Sequence, residues 1–429
     1  MRVIVVGAGA IGLCAAEALT ARGAEVVVLE RDRCGGGASA GNAGWITPSL
    51  SLPLAAPGVV AAAMRWAVRP SSPLWIRPTL EPEMLRWVAS FIASCRRPVY
   101  RRGVRCLQAL AAAAGPAFDR LAQRGAVFER RDDDLLYPAF SEPELGHLQA
   151  VAADLRANGA AGSLQPVSAA ELRALEPTLG PSLVGGMLAS GEGRVRPEAF
   201  TAAVHGLLTA RGVAVVEGAP VDELRRDGDV WLARTSAGEH RGDAVVLAGG
   251  VAVADLLRQL GVRLPVVAAK GYSRTFAGRP GEGGAPLRSL YLESPKVAIS
   301  VFDAAVRVSG TLELGARDLT LSARRLTAIT RAARHALPGW EPPAGGRDWA
   351  GARSVSPDGL PYVGAVPGAP GVHVATAHAM LGITLAPLTG ELLAQQLLER
   401  RTGPELAALD PARAASPLRR SRRRSAPAR

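Results

Sequence analysis

Lysine is nearly missing from this sequence. Lys270 and Lys296 are the two lysines among 429 residues, so almost all of the 50 basic residues are arginine. The net charge of +12 is also unevenly placed, because seven arginines lie between residues 413 and 429, where no acidic residue occurs. Subtracting those seven leaves +5 for the rest of the chain. This pattern is typical of a biased codon usage, and it excludes a dedicated nucleic-acid-binding protein with a selected basic surface.

Cysteine and long apolar runs are also scarce. The four cysteines, at positions 14, 34, 95 and 106, are too few and too scattered for a disulfide scaffold or a zinc site. The longest apolar candidate for a membrane span, residues 50–63, is interrupted by Pro53 and Pro57 and falls short of the roughly 18 residues that a spanning helix needs. The N-terminus carries no signal-peptide pattern. We therefore predict a cytoplasmic protein that binds no metal.

The first thirty residues predict a complete strand–helix–strand unit. Residues 3–6 are a β-branched run typical of a strand buried on both faces, and residues 26–29 form a second run of the same kind. Between them, residues 7–12 read Gly-Ala-Gly-Ala-Ile-Gly and a helical pattern follows. A glycine-rich turn in this setting is typical of a dinucleotide-binding fold.

Each glycine of the turn has a physical role in dinucleotide binding. Gly7 permits the tight turn, Gly9 lets the backbone approach a pyrophosphate, and Gly12 lets the helix pack closely on the strand. The helix N-terminus then directs unpaired N–H groups at the phosphates. Glu30 ends the second strand, where a carboxylate accepts hydrogen bonds from a ribose, and an acid at this position disfavours NADP. These residues alone leave FAD and NAD open.

The segments that follow favour a flavin. Residues 31–44 form a long loop of small residues directly after the second strand, which leaves room for a bulky group beside the nucleotide. Residues 243–250 read as a buried strand that ends in Ala-Gly-Gly, which suits close contact between the backbone and a ligand. A helix beginning beside residues 382–384 would stabilise negative charge on the pyrimidine side of a reduced flavin.

The order of motifs resembles the D-amino-acid dehydrogenase branch of the D-amino-acid oxidase family of flavoproteins. The resemblance extends over residues 1 to about 400. Its motifs are residues 7–12 with Glu30, then residues 42–44, 54–58, 73–78, 84–87, 270–273, 357–361 and 381–384.

This resemblance implies an α/β fold with two domains. A discontinuous, Rossmann-like FAD-binding domain would consist of residues 1–50, 195–260 and 345–405. An α+β substrate-binding domain with a mainly antiparallel sheet would consist of residues 51–194 and 261–344. Residues 411–429, which lack apolar periodicity, are predicted to form a disordered basic tail.

The resemblance also implies the reaction and its residues. A hydride would leave the α-carbon of a D-amino acid for flavin N5, and the imino acid would hydrolyse to a 2-oxo acid and ammonia. Arg353 matches the arginine that pairs with the substrate carboxylate, and Tyr272 is a candidate second donor. His378 lies where the family approaches the flavin, and we assign it no proton transfer. The expected FAD contacts are Gly7, Gly9, Ile11, Gly12, Glu30, Arg31, Asn42, Ala43, Gly44, Val221, Ala248, Gly249, Gly382, Ile383 and Thr384.

Two alternatives stay open at this point. The same fold would serve an oxidase or dehydrogenase of glycine, sarcosine or a cyclic imino acid such as D-proline or hydroxyproline. A protein that keeps the fold but has lost catalysis is a third reading, which the presence of Arg353 argues against.

Three positions depart from the family pattern. Ser354 stands where proline is usual, Ala379 where glycine is usual, and Trp45 where glutamine is common. They surround the expected flavin and substrate sites, so they bear on substrate identity more than on FAD binding. No cysteine follows Cys106, and we therefore expect FAD to be bound non-covalently. Lys270 is considered both as a residue near the flavin and as a surface residue.

The resemblance finally suggests partners. Besides the amino-acid substrate, dehydrogenases of this branch pass electrons to a respiratory acceptor rather than to oxygen. Residues 50–75, which are apolar and contain tryptophan, are then a candidate for peripheral contact with the inner face of a membrane. We expect no specific nucleic-acid partner.

Overall fold

The structure, a computed structural model, describes residues 1–67, 72–158 and 164–414. In chain order the strands are β1 (Arg2–Val6), β2 (Glu25–Leu29), β3 (Trp45–Ile46), β4 (Leu74–Ile76), β5 (Arg130–Arg131), β6 (Leu135–Ala139), β7 (Leu164–Ser168), β8 (Gly185–Ala189), β9 (Gly193–Val195), β10 (Ala214–Val216), β11 (Val221–Asp227), β12 (Val230–Thr235), β13 (Gly238–Gly242), β14 (Ala244–Leu247), β15 (Val267–Ala277), β16 (Leu290–Leu292), β17 (Val297–Phe302), β18 (Ala305–Leu314), β19 (Arg347–Val355), β20 (Tyr362–Ala365) and β21 (Val372–Thr376). The helices are α1 (Ala10–Thr20), α2 (Val59–Ala67), α3 (Pro82–Ser94), α4 (Arg97–Gln123), α5 (Glu142–Ala157), α6 (Ala169–Leu175), α7 (Pro197–Ala210), α8 (Val253–Gln259), α9 (Ala323–Ala336), α10 (Ala386–Glu399) and α11 (Pro404–Leu409).

The first sheet has the strand order β10-β2-β1-β14-β21-β20. Its first five strands are parallel, and β20 is antiparallel to β21. Helices α1, α4, α7 and α10 cover one face, while α8 and the three-stranded sheet β11-β12-β13 cover the other. A parallel sheet needs such cover because both of its faces are apolar. The predicted Rossmann-like part of the fold is confirmed.

The second sheet has the order β19-β15-β18-β17-β16-β6-β8-β7, with β4 beside β18. Most of its pairs are antiparallel, and α9 packs on one face through Leu326 and Ile329. This is the mixed second domain that the fold class requires. The division of the chain at residue 345 is wrong in one respect: β19 (Arg347–Val355) hydrogen-bonds to β15, so it belongs to the second sheet.

Buried ion pairs fix the helices on the first sheet. Glu17 on α1 is 1% exposed and accepts hydrogen bonds from Arg124 and Arg211. Arg124 also reaches Glu391 on α10, which Arg120 on α4 holds with two further bonds. Four helices or their ends are thereby joined by charge-assisted hydrogen bonds around two buried carboxylates.

The predicted start of the C-terminal tail is four residues too early. Residues 411–414 belong to the fold, because the Arg413 guanidinium binds the Asp358 carboxylate and the Leu360 carbonyl and lies 4.1 Å from the centre of the Tyr362 ring. The hydropathy pattern of the sequence does not reveal that one arginine near the C-terminus packs on the ring of Tyr362 in β20. Residues 415–429, the rest of the predicted tail, lie outside the described residues.

The candidate membrane segment, residues 50–75, includes the short helix α2 and the beginning of strand β4. Residues 68–71, between these two elements, are not among the described residues. Strand β4 pairs with β18 in the second sheet. Among the described residues, no helix combines the length and the apolar character that crossing a membrane would take.

We predict that Arg124→Gln destabilises the protein by about 3 kcal/mol, because it leaves the buried Glu17 and Glu391 carboxylates with fewer partners. Chemical denaturation of the purified protein measures the change. Arg2→Gln, which removes the exposed pair between Arg2 and Glu25, is the control and should cost less than about 1 kcal/mol. If both substitutions lowered the free energy of unfolding equally, the buried network would contribute no more to stability than the exposed ion pair does.

Candidate active site

The turn between β1 and α1 has no room for side chains. Gly7 has a φ of +105°, and a Cβ there would lie 2.8 Å from the backbone of Ala248 and Gly249. A Cβ on Gly12 would lie 1.8 Å from the Gly7 carbonyl oxygen. Backbone is therefore packed on backbone at the carboxyl ends of β1 and β14, where open α/β sheets bind ligands.

The beginning of α1 carries backbone donors that the helix itself does not use. Gly9 is the N-cap residue, and no side chain caps the helix from that position. The Ala10 N–H donates to the Ser39 hydroxyl, while the other first-turn N–H groups, including that of Ile11, have no partner within the helix. These donors and the positive end of the helix suit a pyrophosphate. Ser39 was not among the predicted residues; its only sequence signal is its place in the small-residue loop.

Glu30 serves the protein as well as a ligand. One carboxylate oxygen accepts the Ala8 N–H at 2.7 Å and the other accepts the Asp32 N–H at 3.0 Å. Each oxygen has a further lone pair for a ribose hydroxyl. Arg31 binds the Asp32 carboxylate in an exposed ion pair, so the structure does not turn its side chain toward Glu30. Val221, at the start of β11, lies beyond the end of β2, where the Ala219 N–H donates to the Glu30 carbonyl.

Residues 40–45, which we call the flavin loop, are held by bonds from the second sheet. Arg307 on β18 is 1% exposed and donates to the Ala40 and Asn42 carbonyls. The Ser300 hydroxyl donates to the Ala43 carbonyl. Within the loop, the Asn42 side chain accepts the N–H of Gly44, whose φ is +79°. The buried Arg307 was missed because nothing in a strand sequence shows which loop its side chain will hold.

The C-terminal motif meets the flavin loop directly. The Thr384 hydroxyl donates to the Trp45 carbonyl at 2.8 Å, and α10 begins two residues later. At Gly382 the nearest atom to a Cβ would be the His378 Cβ, at 4.0 Å, so no neighbouring atom crowds this backbone. The structure thus brings four distant parts of the predicted FAD site to one edge of the first sheet, namely Gly7–Gly12, Asn42–Gly44, Ala248–Gly249 and Gly382–Thr384.

Arg353 lies on the face of the second sheet that meets the flavin loop. In the strand register it stands opposite Ala269, and Trp349 stands opposite Ser273; opposite residues point to the same side. The Trp349 ring lies where a Cβ on Gly41 would be, at 2.0 Å. We call the face that carries Arg307, Trp349 and Arg353 the site face.

The Arg353 guanidinium is charged, partly buried and without a carboxylate. Among the described residues it donates one hydrogen bond, at 3.3 Å, to the Thr311 carbonyl, and no acid there forms an ion pair with it. It crosses Gly271, where any Cβ would collide with it at 1.9 Å. Burial lowers the pKa of Arg353 to about 10, so the group stays charged at neutral pH. A planar guanidinium in this state is completed by an anionic ligand such as a carboxylate.

Tyr272 and Lys270 lie on the opposite face. Ala269 stands opposite Arg353 and shares its face of the sheet. Side chains alternate between the two faces along a strand, and Lys270 and Tyr272 are one and three residues from Ala269, so they point to the opposite face. The Tyr272 hydroxyl donates to Glu313, and its ring packs against α9. The Lys270 ammonium donates to the Thr320 carbonyl. The structure therefore does not bring Tyr272 together with Arg353, and it places Lys270 away from the site face.

His378 is a buried structural imidazole. Its Nε2 lies 3.1 Å from the Thr389 hydroxyl on α10. Burial lowers the pKa of His378 to about 3, so the ring is neutral throughout the range in which enzymes work. A neutral ring that is already hydrogen-bonded agrees with assigning it no proton transfer.

Three residues, one in the flavin loop, one on the site face and one bonded to Arg353, carry polar side-chain atoms without a hydrogen-bond partner. Trp45 Nε1, Ser273 Oγ and Thr311 Oγ1 are buried without a hydrogen-bond partner. Ser273 lies on the site face, and Thr311 has a φ of +60°, rare for a β-branched residue. Buried polar groups without partners are costly, so a ligand that bonded to these atoms would recover part of that cost. Together with the glycine cradle, they fit FAD and a small polar substrate.

Comparison with known proteins decides the family. A family model described as FAD dependent oxidoreductase matches residues 2–396. This chain belongs to the FAD-dependent oxidoreductase family. The D-amino acid dehydrogenase of Methylobacterium nodulans is 33% identical over 414 residues, 95% of this chain and 97% of that protein. The D-amino acid dehydrogenase of Methylobacterium sp. strain 4-46 is 34% identical over 415 residues, with the same coverage. The predicted relationship is confirmed, and the protein is an FAD-dependent oxidoreductase.

Solved structures show the same fold. Glycine oxidase from Geobacillus kaustophilus matches with a TM-score of 0.73 and 24% identity, covering 95% of this chain and 98% of that one. Iminodiacetate oxidase from Chelativorans sp. BNC1 matches with a TM-score of 0.70 and 22% identity, covering 96% and 99%. At this identity the likeness concerns the fold alone.

We predict that Gly9→Ala folds normally but binds FAD at least about tenfold more weakly, because a Cβ would occupy the place where the backbone meets the pyrophosphate. In the protein alone, this Cβ would touch only the Ser39 hydroxyl, at an ordinary 3.4 Å. FAD affinity is measured by flavin fluorescence quenching on apoprotein, and folding by circular dichroism.

Gly146→Ala, on α5, is the matched control. A Cβ at Gly146 meets no atom within 4 Å, and this variant should bind FAD as the unchanged protein does. If Gly9→Ala kept full affinity, the pyrophosphate would not lie at this turn.

Proposed function

We propose that this oxidoreductase deaminates D-amino acids oxidatively, with non-covalently bound FAD as the oxidant. The observation that carries the proposal is the Arg353 guanidinium, which has no acidic partner among the described residues and lies on the face of the sheet whose Trp349 contacts the flavin loop. An amino acid offers the carboxylate that this charge lacks. The names of the relatives support amino acids as substrates and the D configuration.

The residues of the chain bind and orient the substrate. Arg353 would hold the carboxylate by two parallel hydrogen bonds, which fixes the α-carbon relative to the flavin loop. The Thr311 carbonyl, bonded to the same guanidinium, fixes its orientation. When bound, FAD supplies the two-electron acceptor for the α-hydrogen, and the resulting imino acid hydrolyses to a 2-oxo acid and ammonia. The neutral His378 takes no proton in this scheme.

Non-covalent binding of FAD is supported by the cysteines. All four are free thiols, and Cys34 is the one that follows β2 near the nucleotide end. Burial and the neighbouring carboxylates of Glu217 and Glu30 raise the pKa of Cys34 to about 12. A thiol that stays protonated is a poor nucleophile toward a flavin.

A second candidate function is oxidation of glycine, sarcosine or a cyclic imino acid. It is supported by the fold that this chain shares with a glycine oxidase and an iminodiacetate oxidase. Both candidates use the carboxylate of the substrate, so Arg353 serves either. Anaerobic addition of D-amino acids, L-amino acids, glycine, sarcosine and D-proline to the yellow holoenzyme separates them. Bleaching by D-amino acids in preference to the others supports the first proposal.

We predict that Arg353→Gln lowers kcat/KM by about a hundredfold or more, because the substrate carboxylate loses a charged partner in a partly buried site. Anaerobic stopped-flow reduction measures this, and FAD content checks that the cofactor stays bound. Arg274→Gln is the control, since Arg274 binds Asp348 on the opposite face of the sheet. Unchanged kinetics of Arg353→Gln would remove Arg353 from the mechanism.

We further propose that an exposed surface on α3 and α4 contacts an anionic membrane, where a respiratory acceptor would take the electrons. Leu80, Leu85 and Ile92 are 88%, 50% and 49% exposed, and Leu85 and Ile92 share one side of α3. Exposed arginines flank them, none in an ion pair within the described residues: Arg86, Arg96, Arg97, Arg101 and Arg102. Apolar side chains among free arginines are typical of surfaces that lie on anionic lipid.

We predict that the holoenzyme co-sediments with vesicles of phosphatidylcholine and phosphatidylglycerol at low salt, and less with phosphatidylcholine alone. The double variant Leu85→Gln, Ile92→Gln should bind at least about tenfold more weakly, because two apolar side chains no longer enter the lipid. Val127→Gln, at an exposed apolar residue elsewhere, is the control. Equal binding of both variants, or none by the unchanged protein, contradicts a membrane role for this surface.

A further inference from the structure

Ser354 connects the substrate-binding strand to the loop that borders the flavin site. Its hydroxyl accepts the Ala377 N–H at 3.0 Å, and its carbonyl accepts the Ala379 N–H at 3.0 Å. Ser354 follows Arg353 directly on β19, so its side chain points to the other side of the strand. We call residues 377–385, between β21 and α10, the C-terminal site loop.

The C-terminal site loop is strained and needs external support. Ala377 and Ala379 have φ values of +62° and +50°, a conformation that suits glycine and disfavours residues with a Cβ. Strained backbone persists where its surroundings over-determine it. Here Ser354 binds both strained residues, while His378 between them is bonded to Thr389.

The hydroxyl of Ser354 is the side-chain part of this support. Ala377 is fully buried, so without the hydroxyl its N–H would be left without a partner away from water. The backbone bond from Ala379 would remain, because any residue at position 354 supplies a carbonyl. A substitution that removes the hydroxyl of Ser354 therefore removes this one hydrogen bond and leaves Ala377, the first strained residue of the loop, without it.

This loop ends where the flavin is expected. Thr384 is bonded to the Trp45 carbonyl of the flavin loop, the backbone at Gly382 is uncrowded, and α10 begins at Ala386. Backbone N–H groups and a helix N-terminus stabilise negative charge. A reduced flavin is more negative than an oxidised one, so the position of the loop affects the two states unequally.

We propose that Ser354 is a positioning residue that fixes the C-terminal site loop through Ala377 and thereby raises the reduction potential of the bound FAD. The proposal rests on FAD binding at this edge of the sheet, and it does not depend on which amino acid is the substrate.

The test compares Ser354→Thr with Ser354→Val in the holoenzyme. The two side chains have nearly the same shape, but only threonine keeps the hydroxyl, and both suit a strand. The midpoint potential of the bound FAD is measured by anaerobic reduction with dithionite against a reference dye, without amino acid. We expect Ser354→Val to bind reduced FAD about tenfold more weakly relative to oxidised FAD, a shift of about 30 mV to lower potential. Ser354→Thr should stay within about twofold of the unchanged protein.

Ser356→Ala is the matched control, because the Ser356 hydroxyl is buried and donates to the Leu360 carbonyl without touching the loop. It should leave the potential unchanged. A folded Ser354→Val that no longer retains oxidised FAD, beside a Ser354→Thr that does, contradicts the proposal, because the hydroxyl would then support both redox states of the cofactor. Equal potentials of the valine and threonine variants, or an equal shift in Ser356→Ala, overturn it. Failure of the unchanged protein to bind FAD would instead overturn the proposed function.

Discussion

The contact of the Arg307 guanidinium with the flavin loop joins the two sheets. This side chain starts from β18 in the second sheet and reaches the Ala40 and Asn42 carbonyls in a loop of the first. It also binds Glu198 on α7, a helix that covers the first sheet. Because these bonds are made inside the protein, they cost desolvation of the charge, and burial lowers the pKa of Arg307. The position of the site face relative to the nucleotide cradle depends on them.

The turn at the expected nucleotide site could be predicted from the sequence because its determinants are local, while its contacts with FAD stay a prediction. The turn from Gly7 to Gly12 is specified by absent side chains, and a missing Cβ is visible in the sequence itself. The expected flavin site was predictable only as a set of small-residue loops. Arg307 and Ser300 hold these loops from more than 250 positions away, and Ser39 bonds to Ala10, 29 positions away, so none of the three was found.

The substrate half shows a different limit. Arg353 and Tyr272 were both predicted to bind a carboxylate, yet the strand pleat separates them by the thickness of the sheet. The decisive quantity is the register between β15 and β19, which places Arg353 opposite Ala269. Sequence motifs identify residue types near a site, but a shift of one residue in register exchanges the two faces. Tyr272 therefore stabilises the core against α9, with its hydroxyl on Glu313.

The same pleat explains how one short strand can serve two binding partners. At the end of β19, Arg353 points to the site face and Ser354 to the C-terminal site loop. A displacement of this strand would move the Arg353 guanidinium and the C-terminal site loop together, because Ser354 is bonded to Ala377 and Ala379. The departure from proline at position 354 then has a physical meaning. Serine supplies a hydroxyl that proline cannot, and that hydroxyl binds a loop in which alanine, rather than glycine, occupies left-handed positions.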